Sequence, residues 1–220
     1  MSRIGNIAVI AALILVLFTL CSMSGMAAEN KSAVTTFASV DIAKILGGYE
    51  KSKLVDDQLA GLQASLRQKL QLRMMNKLIG DAEYKQLCDI ASKMSPTADE
   101  SKKRSEILEH SAALEKEFQS LQQNPKATDA EKARMNELQA IMDKNAALAK
   151  EDETSFGDQF QKKQEELIGG LKKDVESAVA AVAKEKGVSM VFCKSLAQFD
   201  FIIYSSNDIT EDVVKKLNKK

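Results

Sequence analysis

Between positions 50 and 186, apolar residues recur every three or four positions, and the positions between them are mostly charged or polar. This spacing is typical of amphipathic helices, which carry their apolar side chains on one face. Gly61 and Gly80 lie inside the stretch, and we expect a long helix to tolerate both. The pattern therefore predicts helix through almost the whole stretch. Its first apolar face consists of Val55, Leu59, Leu62, Leu66, Leu70 and Met74.

Both prolines of the chain, Pro96 and Pro125, interrupt this helical stretch. Each is followed by residues with the spacing of a capping box, which starts a new helix: Thr97 with Glu100 and Thr128 with Glu131. Two arms that return to one body should be roughly equal in length, so we place the reversal at 124–127. Pro96 then marks either a kink in the first arm or a looped-out part of it.

Short β-prone segments flank the helical stretch, namely 36–40 (TFASV), 188–193 (VSMVFC) and 199–204 (FDFIIY). Asp41 is a natural N-cap for a short helix that ends at Gly47 and Gly48. After a turn, Asp208 or Thr210 starts a last amphipathic helix. These elements predict a small body with a three-stranded sheet. A body of this size buries little surface, which favours oligomerisation.

The first 28 residues read as a targeting segment. Arg3 is followed by an apolar run from 7 to 20 and then by small residues, which allow cleavage after Ala27 or Ala28. We therefore expect export beyond the inner membrane. An uncleaved anchor and a lipoprotein at Cys21 are the alternatives, although Leu20 is bulkier than the residue that usually precedes a lipidated cysteine.

Composition excludes several classes of function. Lys plus Arg and Asp plus Glu both number 31, so the chain has no net charge that would attract nucleic acid or anionic lipid. Aromatic residues make up 5% and there is no Trp, which argues against one large globular core. No phosphate-binding loop or dinucleotide-binding turn is present.

The sequence contains no arrangement of residues that would support catalysis or bind a metal. His110 is the only histidine, and no pair of cysteines has metal-ligand or redox spacing. Export permits a disulfide between Cys88 and Cys193, but we interpret both as free thiols, since one lies in the helical stretch and the other in a late strand. We therefore predict no enzymatic activity, no cofactor and no metal.

The order of these elements resembles the Skp/OmpH family of periplasmic chaperones. The residues that carry the resemblance are 37–46 (FASVDIAKIL) and 186–218 (KGVSMVFCKSLAQFDFIIYSSNDITEDVVKKLN). In layout the similarity covers the whole chain after the targeting segment. The best-studied members of the family are strongly basic whereas this chain is neutral, so we do not expect strong binding to lipopolysaccharide or to membrane surfaces. The arms are also longer, with additional sequence around 79–127.

The resemblance implies a mainly α fold with a small β body. A long antiparallel helical hairpin, similar to a coiled coil, would project from a three-stranded trimerisation body. Residues 1–28 would be the signal peptide, 29–49 with 187–220 the body, and 50–186 the arm. Family members are homotrimers that hold unfolded outer-membrane proteins between their arms without ATP. The implied function is therefore a periplasmic holdase; the alternative is a structural coiled-coil protein that spaces the layers of the envelope.

The candidate functional residues form two groups. The arm carries apolar residues that could contact an unfolded client as well as pack the hairpin: Met74, Met75, Leu78, Ile79, Phe118, Leu121, Met135 and Met142. The resemblance assigns packing of the body and the trimer to Val40, Ile42, Val191, Phe192, Ile202, Ile203, Ile209, Val213 and Leu217.

Overall fold

The computed structural model describes residues 36–196, 199–200, 202 and 204–219. The predicted signal peptide, Cys21 and Ile203 lie outside the described residues. In chain order, the elements are β1 (Phe37–Val40), α1 (Ile42–Gly48), α2 (Glu50–Met75), α3 (Asp81–Ala91), α4 (Ala98–Gln122), α5 (Asp129–Glu185), β2 (Met190–Cys193), β3 (Ser195–Leu196), β4 (Phe199–Asp200) and α6 (Thr210–Leu217).

The chain divides into two compact units, which we describe separately. The terminal unit comprises the described residues up to 60 and from 162 onward, and the central unit comprises residues 61–161. The predicted boundaries between body and arm, at 49/50 and 186/187, stay a prediction. None of the helices in the described part of the chain is both long and apolar enough to span a membrane.

Local sequence signals account for most helix ends. Asp41 accepts a hydrogen bond from the Lys44 backbone at 3.1 Å, as expected for an N-cap. Both predicted capping boxes are also confirmed: Thr97 pairs with Glu100 at the start of α4, and Thr128 pairs with Glu131 at the start of α5. Gly187 ends α5 with a φ of 64°, a conformation that favours glycine.

In the terminal unit, β1 and β2 pair in parallel, with Phe37 opposite Met190 and Val40 opposite Cys193. The other edge of β1 bonds to the segment before α6, since Ser39 donates to the Asn207 carbonyl at 2.9 Å and accepts from the Ile209 amide at 3.0 Å. The helices α1 and α6 contact each other, and the most deeply buried side chains here are Ile45, Val213 and Ile209, which is the N-cap residue of α6.

The predicted sheet of three strands is not formed by the described residues. Instead, β3 and β4 form a separate antiparallel pair, with Ser195 opposite Asp200. Residues 199 and 200 therefore pair with the segment immediately before them, from which only two residues separate them. The described strands make two sheets of two strands each.

The central unit contains a chain break that the sequence analysis missed. We predicted that Gly80 would lie inside a long helix, but α2 ends at Met75 and Gly80 is the N-cap of α3. The Gly80 amide donates to the Glu83 side chain at 3.3 Å, which satisfies one free amide at the start of α3. The sequence periodicity predicted helix through 76–80 because Leu78 and Ile79 are apolar and have helical spacing. In the structure these two side chains are buried from a turn, not from a helix face.

Candidate functional site

A polar cluster holds the turn between α2 and α3 against α5 in the central unit. The Nε atom of Arg73 donates to Oδ2 of Asp152 at 2.6 Å, and an NH group donates to Asn145 Oδ1 at 3.3 Å. Asn145 in turn donates to the carbonyls of Lys77 at 2.8 Å and Ile79 at 2.9 Å. The side-chain amide of Asn145 thus provides hydrogen-bond donors for two backbone carbonyls of the turn, which lie outside the helices.

Charge and stacking complete this polar cluster. The Arg73 guanidinium lies 3.6 Å from the centre of the Tyr84 ring, a cation–π contact, and 3.5 Å from Asp81. A hydrogen bond from Lys144, opposed by desolvation, lowers the pKa of Asp81. Burial raises the pKa of the Tyr84 hydroxyl. The charged and polar groups of the cluster are therefore paired with one another, which is the pattern of a structural junction.

The helices α3 and α4 form a hairpin around Pro96. Ile79, Leu87 and Ile107 make the buried cluster of this hairpin, and Leu72 and Tyr84 pack against it. On its surface, His110 contacts Glu83 at 2.8 Å. Of the two interpretations of Pro96, the structure therefore supports the looped-out one, because the chain on either side of the proline packs together.

A second reversal lies at 123–128, between α4 and α5. Arg134 on α5 donates to both carboxylate oxygens of Glu117 on α4, at 2.8 and 3.2 Å. The two helices therefore run antiparallel beside each other close to this loop. Leu138, one turn beyond Arg134, is fully buried.

The apolar arm residues named from the sequence occupy three kinds of position. Met74 and Met75 are 57% and 67% exposed. Leu78 and Ile79 are only 5% and 1% exposed, so they pack inside the unit and we leave them out of any surface that a partner could reach. The remaining four are half-buried: Phe118, Leu121, Met135 and Met142.

Two cavities adjoin these residues. The first, which we call the Met74 groove, has a volume of about 390 Å³, and its apolar lining consists of Leu70, Met74, Ala146 and Ala149. The second, which we call the Phe118 cavity, has a volume of about 210 Å³. Its apolar lining consists of Leu78, Phe118 and Met142. Lys77 lines both.

In the terminal unit, the body residues named from the sequence are mostly buried within one chain. Val40, Ile42, Ile209 and Val213 belong to its core. Val191, Ile202 and Leu217 are half-buried, and Phe192 is 46% exposed. Val213 therefore packs the protomer itself, and an effect of its substitution would first be one on folding.

The exposed face of the β1–β2 sheet carries Phe192, which was named from the sequence, together with Phe37 and Met190, which the sequence analysis did not single out. Phe37 and Met190 are register partners and both are exposed, and the Phe37 and Phe192 rings lie 5.7 Å apart. The alternation of Met190 and Phe192 in VSMVFC was the available signal, because residues two apart in a strand share a face. Together these three side chains make an apolar patch, which we call the sheet patch.

Among the described residues, no group of three or more His, Cys, Asp or Glu side chains could hold a metal ion. Cys88 is a buried free thiol, and burial raises its pKa, so the thiolate that a nucleophile requires is disfavoured. Cys88 and Cys193 do not form a disulfide with each other.

Comparison with known proteins agrees with the resemblance stated from the sequence. A family model described as "Outer membrane protein (OmpH-like)" matches residues 97–217, more than half of the chain. The match includes the late segment 186–217 that carried the resemblance, as well as α4 and α5. No curated protein matches the chain.

Proposed function

The chain belongs to the family of OmpH-like outer membrane proteins, and on that premise we propose that it is an ATP-independent periplasmic holdase. The family consists of chaperones and not of enzymes, which supports a chaperone-type function for this chain. Its partners are outer-membrane proteins. In this proposal, the chain binds them unfolded, in a cavity between the arms of a homotrimer, and prevents their aggregation.

The observation that carries the proposal is the exposed methionine pair at the end of α2. Met74 and Met75 each have more than half of their side chain exposed, and Met74 lines a groove of about 390 Å³ whose lining is partly apolar and partly charged. Methionine is flexible and polarizable, so it adapts to side chains of different shape. Such a surface suits an unfolded client, which presents many different apolar groups and no fixed structure.

The sheet patch supports the proposed assembly. Phe37, Met190 and Phe192 are close to half exposed or more, on one side of a small sheet. Contiguous apolar patches on a soluble protein commonly mark interaction surfaces. We assign this patch to contacts with two further copies of the chain, which would add apolar burial to a small body.

An aggregation assay tests the proposed function. The chain from residue 29 onward is mixed with a β-barrel outer-membrane protein that is diluted out of urea, and light scattering is followed. We expect near-complete suppression at about one trimer per client. Absence of suppression, together with tight binding to peptidoglycan or to a membrane, would instead support the alternative of an envelope spacer.

Paired substitutions connect this activity to the groove. Met74→Glu with Met75→Glu places two charges at the proposed contact and should weaken suppression severalfold. Met94→Glu is the control, because Met94 is fully exposed in the loop between α3 and α4 and does not line the groove. Equal effects of the two changes would argue against the Met74 groove as the contact surface.

A further inference from the structure

The Phe118 cavity combines an apolar lining with polar side chains that make no hydrogen bond to another described residue. It lies in the central unit between the α2–α3 turn, α4 and α5, with a volume of about 210 Å³. Its apolar surfaces come from all three elements, through Leu78, Phe118 and Met142. Its polar lining consists of Lys77, Ser111, Glu115, Gln119 and Gln122.

Ser111 is the most informative of these polar residues. It is only 6% exposed, yet its hydroxyl makes no hydrogen bond to another described residue. Elsewhere in the helices, Ser92 and Ser177 donate to the carbonyl four residues earlier at 2.7 Å. The Ser111 hydroxyl lines the cavity and is not one of the fully buried unpaired oxygens, so water can reach it. An apolar occupant would displace that water and leave the hydroxyl unpaired, whereas an occupant with a polar group would replace the water with its own hydrogen bond.

The size of the cavity matches one ring. An engineered apolar cavity of about 150 Å³ is known to hold benzene, so about 210 Å³ accommodates an aromatic ring with one substituent. Phe118 offers a ring for edge-to-face or offset packing, and the Met142 sulfur makes favourable contacts with aromatic rings. An aliphatic side chain would gain neither contact and would leave the Ser111 hydroxyl unpaired.

Charge does not favour an ionic occupant. Lys77 and Glu115 carry opposite charges on the lining, and neither makes an ion pair with a described residue. With one charge of each sign, the lining selects neither an anion nor a cation. The polar groups therefore favour a neutral hydrogen-bonding group such as a phenol, with Gln119 and Gln122 available to the adjacent peptide backbone.

From these features we propose that the Phe118 cavity binds tyrosine side chains of unfolded client chains, with the phenol hydroxyl paired to Ser111. The inference rests on the proposed holdase function and adds a preference to it. Contacts elsewhere on the central unit would accept any apolar side chain, whereas this cavity would select aromatic rings and, among them, tyrosine.

Methionine-methyl NMR with short peptides tests the proposal on the whole mature chain. The probes are unstructured Gly/Ser peptides with one central Tyr, Phe or Leu. We expect the Tyr peptide to cause a saturable ring-current shift of the Met142 methyl signal, which is assigned with Met142→Leu. It should bind about fivefold more tightly than the Phe peptide, because only tyrosine pairs with Ser111. An equal affinity for the Leu and Tyr peptides would overturn the proposal.

Two variants separate the ring contact from the hydrogen bond. Phe118→Ala should weaken binding of the Tyr and Phe peptides alike. Leu114→Ala is its control, because Leu114 is half-buried on the same helix but does not line the cavity. Ser111→Ala should leave Phe binding intact and abolish the preference for Tyr. If Ser111→Ala keeps that preference, or if Leu114→Ala weakens binding as much as Phe118→Ala does, the assignment is wrong.

The aggregation assay, run in parallel, distinguishes failure of the proposed tyrosine cavity from failure of the proposed holdase function. Suppression of aggregation without a response of the Met142 methyl would overturn the cavity and leave the holdase function standing. A saturable, tyrosine-selective response without suppression would support the cavity as a peptide site and overturn the holdase function.

Discussion

Arg73 near the end of α2 and Asp152 in the middle of α5 are joined by a hydrogen bond of 2.6 Å between Nε and Oδ2. Through this contact, with Asn145 beside it, the chain leaves α2 and enters α3 by a turn held to α5. The same cluster borders the Met74 groove, which Arg73 and Asn145 help to line. Its integrity therefore determines the shape of the surface that we propose for client binding.

Replacement of Arg73 should destabilise the central unit. Arg73→Leu leaves Asp152 and Asp81 without their shared cation, and loss of one partner of a largely buried pair typically costs about 3 kcal/mol. We expect a loss of that size in the free energy of unfolding, measured by urea denaturation at fixed protein concentration. Lys103→Leu removes an exposed ion pair to Glu106 and should cost less than about 1 kcal/mol. Comparable losses would contradict the structural role of Arg73.

Adjacent residues on α4 test the packing of the α3–α4 hairpin. Ile107 is buried in the cluster with Ile79 and Leu87, whereas Leu108 is exposed. Ile107→Ala should lower the free energy of unfolding by about 3 kcal/mol because it leaves a cavity. Leu108→Ala should change it by less than about 1 kcal/mol. If thermal unfolding of the two variants were alike, α3 would not pack on α4 as described.

Two neighbouring glycines should respond to alanine with opposite signs. A Cβ atom on Gly48 would lie 2.8 Å from Cγ1 of Val214 on α6, whereas Gly47 has open space around it. Gly48→Ala should therefore destabilise the terminal unit by about 1 kcal/mol, because the valine must move. Gly47→Ala should stabilise α1 by up to about 1 kcal/mol through helix propensity.

A second substitution identifies the cause of the Gly48 effect. Val214→Ala in the Gly48→Ala background should recover part of the lost stability, since it removes the atoms that the new methyl group meets. Additive losses in the double variant, measured as changes in thermal midpoint, would exclude this contact as the cause.

Acid should destabilise the terminal unit through Asp208. Burial by itself would raise the pKa of this carboxyl, but hydrogen bonds from Lys194 and Thr210 outweigh it and lower the pKa to about 2. Because the folded pKa lies below the unfolded value of 3.8, the stabilisation is present above that value and is lost as pH falls toward 2.

The variant Asp208→Asn isolates this contribution. It should be less stable than the unsubstituted chain at neutral pH and lose less stability between about pH 4 and pH 2. Urea midpoints at constant ionic strength provide the measurement. Parallel pH profiles for the two chains would show that another carboxylate is responsible.

The sheet patch can be tested separately from the core of the terminal unit. Phe192→Asp places a charge on an exposed side chain and should lower the mass in sedimentation velocity from trimer to monomer while the helical circular dichroism stays unchanged. Val213→Asp buries a charge in the protomer core and should unfold the terminal unit instead. A Phe192→Asp variant that stays trimeric would remove the patch from the proposed interface.

Interactions between near neighbours could be predicted well from the sequence. The Asp41 cap and the capping boxes at Thr97 and Thr128 are confirmed, because each joins residues three positions apart. Pro96 left two interpretations open, since proline reveals where a helix breaks but not what the next helix packs against. Asn145 and Asp152 interrupted the apolar pattern of α5 without revealing a partner.

The sequence by itself determined the amphipathic helices, most of their ends, the two β-prone flanks and the family. Only the tertiary structure decided that Asn145 serves the turn at 76–80, from 68 and 66 residues away, and that Leu78 and Ile79 are interior. The spacing of apolar residues in the sequence predicts that a helix has an apolar face. Which element covers this face depends on contacts between segments that are distant in the sequence. For that reason the cavities beside Met74 and Phe118 were visible only once the helices were packed.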